Sequence, residues 1–594
     1  MCVRASTYGA AVATDWTSPW KLCQTAPVLD VACARVFSIS KIIRIALLAL
    51  LAALEGGLAR AADDRDVASA IRRLLAKVEE QSPRSAETGR EYQTLRALYA
   101  SRDFSPLWGD GLAPSRQATE LLQTLRTAGT YGLRPADYEE GLIPDSLSGS
   151  APDDPGQTQG RARFDVALSA TAVRFITHLH YGRVDPRAAG FDFDRTHSEL
   201  DLGVLLEQLA TTQDVGRVIS SVEPQFFHYR LLKQTLGGYR ALARDSTLWR
   251  LPALQQRSIK PGEPYAGAGQ VRKLLHALGD LPEDALSTST DLTLDPVLVA
   301  ALQRFQERHG LTADGALGQA TFMALTVPLA QRVRQIELTL ERWRWLPAFT
   351  SPPIIVNIPQ FRLFAFQSTQ DRKAEILQMD VIVGRTYPGL HTPVFAADMK
   401  YVIFRPYWDV PSSIAQREML PEIRANPDYL QKQHLEIVGG SDDSTAALPP
   451  TPENLRALAS GALRLRQQPG ADNALGLIKF MLPNAYNVYL HSTPAHRLFS
   501  ESRRAFSHGC IRVSDPVALA AYVLRDAPGS WTPGAITAAM NGPTTLRVNL
   551  SKPIRVMILY GTALATEAGT ILYFDDIYGH DRKLETLLHL PPAT

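Results

Sequence analysis

Ser507-His508-Gly509-Cys510-Ile511-Arg512 is the stretch on which the reading of this chain turns, and His491, in Tyr489-Leu490-His491-Ser492-Thr493, stands nineteen positions before Cys510. The chain has 4 cysteines. The other three, Cys2, Cys23 and Cys33, precede a segment with the layout of an export signal, so the mature protein is expected to carry one thiol. A lone thiol cannot form an internal disulfide, and in an exported chain it is a liability unless it has a use. The useful form is a thiolate nucleophile, which needs a base or a positive charge beside it at neutral pH. His491 and His508 are both near enough in sequence to serve.

Working outward, the segment is flanked by strand-like sequence. Upstream, 354–358, 362–366, 379–383, 401–404 and 486–491 are rich in β-branched and aromatic residues. Downstream come Val513, two short helices opened at Asp515-Pro516 and Thr532-Pro533, and strands at 546–550, 554–560 and 570–574. Residues 412–478 read as helical and polar, broken at Pro449-Pro450-Thr451-Pro452. The expectation is a β-rich domain over 350–550 with a helical insertion at 412–478, followed by C-terminal strands and a tail over 551–594.

Further out the chain turns helical. The spacing of Val333, Ile336, Leu340 and Trp343 predicts a helix connecting through 331–348. Residues 265–330 read as a small helical unit. Asp295 can cap the helix that Pro296 opens, Gly310 can end it, and Val297, Ala301 and Phe305 recur at i, i+4, i+8. Residues 62–255 are mostly helical and concentrate no catalytic residue types. Within the leader 1–61, Lys41 and Arg44, the apolar run 45–54 and Ala59-Arg60-Ala61 have the order of a signal peptide. The run is short for a membrane span, which takes about 20 apolar residues. The expected location is the periplasm, with a membrane anchor only if the signal stays uncleaved. Without residues 1–61 the chain carries 56 Lys and Arg against 57 Asp and Glu, and that balance gives no argument for nucleic-acid binding.

The spacing of His491 to Ser507-His508-Gly509-Cys510 resembles the signature of L,D-transpeptidases of the YkuD type, and Arg512 also fits. Ser492 departs from it, since many members carry glycine there. The phrase from Leu298 to Leu325, with Phe305-Gln306, Gly310-Leu311, Asp314-Gly315 and Gly318-x-x-Thr321, resembles the three-helix peptidoglycan-binding module. Together with Glu341-Arg342-Trp343-Arg344-Trp345-Leu346-Pro347 and Arg405-Pro406-Tyr407-Trp408-Asp409-Val410-Pro411, the whole is similar to the large periplasmic YcbB subfamily. The fold this implies is α+β: a helical scaffold domain, a small three-helix module, and a β-sandwich-like catalytic domain with a helical capping insertion.

Spacing alone does not choose the base. His508 and Cys510, two apart in an extended segment, would share a face; His491 reaches the thiol only through the fold. The resemblance assigns the base to His491, oriented by the backbone carbonyl of Ser492, and leaves His508 to shape the site. Cys510 is then the nucleophile, and the backbone N–H groups of Gly509 and Cys510 are the natural oxyanion donors. Arg512 either forks onto a substrate carboxylate or pairs with a neighbouring acid. Tyr407 and Trp408 either line the cleft or are core aromatics. The implied reaction takes a tetrapeptide stem as donor, releases D-alanine, and passes the acyl group to a second stem as a 3→3 cross-link. Water as acceptor would make it an L,D-carboxypeptidase. The resemblance further implies carbapenem acylation of Cys510 and contact with wall-synthesis enzymes. No cofactor or metal is required. Two other classes compete: a zinc hydrolase using His491, His508 and Cys510, which lacks a fourth ligand, and a wall-binding protein without catalysis.

Overall fold

A computed structural model describes residues 64–77, 86–109, 113–139, 155–193, 199–286, 292–347, 350–368, 377–426, 428–440 and 445–590. The export-signal segment 41–61 and Cys2, Cys23 and Cys33 lie outside these residues. No helix among the described residues is long and apolar enough to cross a membrane.

Eight strands of a ten-stranded sheet make up the ring around the thiol: β1 (Ile354–Asn357), β2 (Arg362–Ala365), β3 (Leu377–Gly384), β4 (Val394–Phe404), β5 (Ile478–Met481), β6 (Leu490–His491), β7 (Ile511–Val513) and β8 (Leu546–Leu559), with the short strands Phe191–Asp192 and Ala505–Ser507 pairing onto β4 and β3. Their neighbours run β4-β5-β6-β7-β3-β2-β1-β8, and β8 pairs back onto β4. The sheet therefore closes into a barrel, which corrects the expected sandwich. The cause lies in the long strands. β4 offers both its edges, to β5 and to β8, and β8 breaks register between Asn549 and Ile554, letting the sheet bend round and close. Inward residues such as Ile354, Val356, Leu363, Val381, Val402, Phe404, Phe480, Leu490 and Ile511 fill one continuous core. β8 also crosses position 550, so the division expected there falls inside a single strand.

That core extends into the helices before the barrel. Helix α1 (Leu329–Trp343) buries Val333, Ile336 and Leu340 against Tyr229, Leu232 and Leu236 and against the barrel. The Glu341-to-Leu346 phrase is buried at this joint. Glu341 accepts from the Val184 N–H (3.1 Å) and from Arg344 Nη1 (3.0 Å), and Arg342 pairs with Asp581 (2.6 Å). The scaffold has its own helical core around Trp108, Tyr99 and Phe175.

The 265–330 unit holds three helices, Ala268–Ala277, Pro296–Arg308 and Gln319–Leu325. Asp295 caps the second, accepting from Val297 and Leu298 N–H at 3.0 Å each, which such caps make worth about 1 kcal/mol. Its buried face is Leu298, Ala301, Leu302 and Phe305, while Val297 is exposed, so the apolar stripe begins one residue later than its spacing suggested. Arg308 is buried, bonded to Asp280 (2.5 and 2.8 Å) and to the Ile571 carbonyl (3.0 Å), which ties the unit to the C-terminal hairpin.

The insertion is not purely helical. Trp408–Asp409, Leu435–Val438 and Arg464–Gln467 form an antiparallel sheet with the last strand central. Ile437 and Leu465 point into a small separate core with Ile414, Leu420 and Ile423. The alternation in Leu435-Glu436-Ile437 was the signal for a strand there.

Candidate active site

β5, β6 and β7 lie side by side, with Lys479 opposite His491 and His491 opposite Arg512. The β6–β7 pair is parallel. It sets Leu490 against Ile511 and therefore brings Tyr489 beside Cys510, whose neighbour Ile511 donates its N–H to the Tyr489 carbonyl (3.1 Å). An imidazole on one strand and a thiol at the start of the next are thus placed by strand register.

His491 is buried, and its Nδ1 lies 2.6 Å from the Ser492 carbonyl oxygen. A carbonyl only accepts, so Nδ1 carries the proton and Nε2 keeps the lone pair of a base. Burial, then the Arg512 charge, hold the imidazole down at about 3, so it is neutral at physiological pH. Ser492 is itself held, its N–H donating to the Ile478 carbonyl (3.0 Å). Gly476 (φ +61°) packs directly against this turn; a Cβ there would stand 2.5 Å from Ser492 Oγ and 2.7 Å from Thr493 N.

Cys510 is half-buried and free, with Sγ 3.8 Å from the Asn487 carbonyl oxygen. Burial pushes its thiol up. The Tyr489 N–H, Lys479, the Tyr489 hydroxyl and Arg512 pull the other way. At neutral pH the two groups are therefore a neutral thiol and a neutral imidazole. The Tyr489 hydroxyl interacts with the Cys510 thiol and with the Trp408 indole, while its ring faces Lys479 Nζ at 3.8 Å.

The turn carrying the thiol is clamped by its own serine. Buried Ser507 Oγ donates to the Cys510 carbonyl (2.5 Å) and accepts the Gly509 N–H (3.1 Å). The Gly509 N–H is thus committed and is not an open oxyanion donor, contrary to expectation. Gly509 has φ +117°, a conformation for glycine alone. The same kink breaks the alternation that would have put His508 and Cys510 on one face. His508 Nε2 instead meets Glu418 Oε1 of the insertion at 2.9 Å.

Arg512 has no ion-pair partner among the described residues, and its Nε is buried without a hydrogen bond. Trp408 reaches the site through Tyr489, whereas the Tyr407 ring is covered by Arg466 at 4.5 Å within the insertion. The residues that sequence reasoning missed are Tyr489, Gly476, Glu418 and Thr392. Only Tyr489 had a local signal, two residues before His491 in the quoted stretch. Among the described residues no three His, Cys, Asp or Glu side chains gather as metal ligands.

With that geometry in place, known families can be set beside it. Residues 352–541 match the YkuD family model. The barrel is thus similar to an L,D-transpeptidase catalytic domain. Residues 266–325 match a "Putative peptidoglycan binding domain" and residues 93–236 a scaffold domain. A Haemophilus influenzae protein named "Putative L,D-transpeptidase" is 30% identical over 252 residues, which make up 42% of this chain and 49% of that protein. The chain thus spans about half the length of the curated relative it matches. The thiol, the imidazole and their clamps all fall within the matched catalytic domain.

Proposed function

We propose that the protein is a peptidoglycan L,D-transpeptidase of the YcbB-like kind, acting in the periplasm through a Cys510 acyl-enzyme. One observation carries this reading: a buried, neutral His491 with its Nδ1 proton given to the Ser492 carbonyl, one strand away from a free thiol in the matched domain. Cys510 attacks the carbonyl that precedes the terminal D-alanine of a tetrapeptide stem. As the S–C bond forms, the thiol proton passes to His491, and the carbonyl electrons move onto oxygen. Collapse of this adduct breaks the peptide bond, and His491 returns the proton to the departing D-alanine amine. An amine of a second stem then attacks the thioester, losing its proton to His491, and leaves as the 3→3 cross-link with Cys510 restored. Arg512, a guanidinium with no ion-pair partner among the described residues, is suited to a carboxylate of the stem.

The matched wall-binding module supports a wall substrate, and the layout of residues 41–61 supports export. The test is mass spectrometry of disaccharide-tetrapeptide incubated with the protein beside a Cys510→Ala control. A dimer lacking one D-alanine, absent from the control, is the expected product. Tripeptide without dimer would mean that water is the acceptor. No turnover by the wild-type protein would sink the catalytic reading.

A further inference from the structure

The nucleophile turn is held from below by a residue outside the signature. Thr392 is fully buried, just before β4. Its Oγ1 accepts the Gly384 N–H (2.8 Å) and donates to the Gly509 carbonyl (2.8 Å). A hydroxyl has one proton, and the Gly384 N–H already supplies one of these two bonds, so that proton belongs to Gly509 O. The Gly509–Cys510 peptide is planar and trans, so its C=O and N–H point in opposite directions. Fixing the carbonyl onto Thr392 turns the Cys510 N–H the other way. That N–H has no hydrogen-bond partner among the described residues. The Gly509 N–H, as shown above, is taken by Ser507. Glycine at position 509 has no Cβ to resist a flip of this peptide, so the direction depends on what holds the carbonyl.

We propose that Thr392 is a positioning residue for acyl transfer: by holding the Gly509 carbonyl it aims the Cys510 N–H at the oxyanion that forms when Cys510 is acylated. Tyr578 braces the same point. Its hydroxyl accepts the Thr392 N–H (3.2 Å) and donates to the Gly384 carbonyl (2.6 Å), and its ring stacks on His391 at 4.1 Å. This inference rests on the cysteine acyl chemistry proposed above, but not on the identity of the stem peptide.

The test compares two reactions of the same thiol in the purified protein. Acylation by p-nitrophenyl acetate forms an S–C bond to a carbonyl, passes through an oxyanion and expels p-nitrophenolate. Alkylation by iodoacetamide forms an S–C bond with loss of iodide and makes no oxyanion. Thr392→Val should slow acylation by about 10²-fold, the scale of losing one oxyanion donor, while alkylation changes less than about threefold. Thr392→Ser, which keeps the hydroxyl, should recover most of the acylation rate. Tyr578→Phe gives a second route to the same point should Thr392→Val fold poorly, and should slow acylation selectively. Equal acylation by wild type and Thr392→Val would overturn the proposal. So would a parallel fall in both reactions with no recovery in Thr392→Ser, since that is the mark of a merely structural residue. A disaccharide-tetrapeptide arm separates the two readings. Wild-type protein acylated by the ester but never by the peptide would sink the proposed substrate, while the ester and iodoacetamide rates still decide the role of Thr392.

Discussion

Glu418 of the insertion lies 2.9 Å from His508, two residues before Cys510. The insertion is thereby fastened to the turn that carries the thiol. Glu418 sits in a single wide helical turn, Ala415–Met419, of the kind often found at functional positions. The pair is partly exposed, so it holds the cap weakly, by no more than about 1 kcal/mol. Glu418→Ala is expected to raise the iodoacetamide rate at Cys510 by about two- to fivefold and to quicken amide exchange over 412–425. Unchanged exchange would mean that the cap is held elsewhere.

In the proposed reaction, His491 sets the acid limit. As a base it must be neutral, and its value of about 3 lies well below the ordinary 6.5. Acylation should therefore persist as pH falls through 6 and 5 and fail only as it approaches that value. Burial raises the thiol, so iodoacetamide alkylation should climb late, on the alkaline side of an ordinary cysteine. Arg512→Gln removes a charge that lowers both groups. The acid limb and the alkylation midpoint should both move to higher pH in that variant, as two pH–rate profiles would record.

Buried histidines also bear on acid stability. His491 at about 3 and His580 at about 4 stay neutral in the fold where the unfolded chain, at 6.5, takes up protons. Stability from these groups is full above pH 6.5 and is lost as pH falls from there toward 4 and 3. The melting temperature should decline across that window, and His580→Gln should flatten part of the decline.

Gly476→Ala tests the support under the base. The added Cβ would meet Ser492 Oγ and the Thr493 backbone, at a φ that other residues avoid. A loss of about 1–3 kcal/mol in chemical denaturation is expected, with acylation falling more than alkylation because the Ser492 carbonyl shifts away from His491.

Asp280→Ala would leave Arg308 charged and buried without its carboxylate. Removing one partner of such a pair typically costs about 3–5 kcal/mol. The expected readout is a lowered denaturation midpoint with the acylation rate at Cys510 unchanged.

Much of this was legible in the chain. Strand composition placed β1 to β3 and both halves of β8 close to where they lie, and Asp515, Thr532 and Asp295 each cap the helix that the following proline opens. Barrel closure was not legible, because it depends on which edge of β4 meets β8, and composition carries no information about pairing partners. The clamp around Cys510 was hidden for a related reason. Thr392 is 118 positions from Cys510, and an isolated Thr-Pro gives no sign that its hydroxyl will reach the Gly509 carbonyl. Glu418 read as one more acid on a polar helix. Gly509 was visible as a glycine that clears space, while its positive φ, which turns His508 toward the cap, emerges only from the folded turn.

The strand that completes the barrel, β8, begins at Leu546, whereas the matched catalytic domain ends at residue 541. A chain shortened to the matched boundary would leave β1 and β4 with bare edges, offering unpaired backbone groups to neighbouring molecules. Anyone wishing to study the thiol in isolation must therefore carry the C-terminal arm along with it. The same dependence delays assembly during synthesis, since the ring cannot shut until the chain has emerged through Leu559.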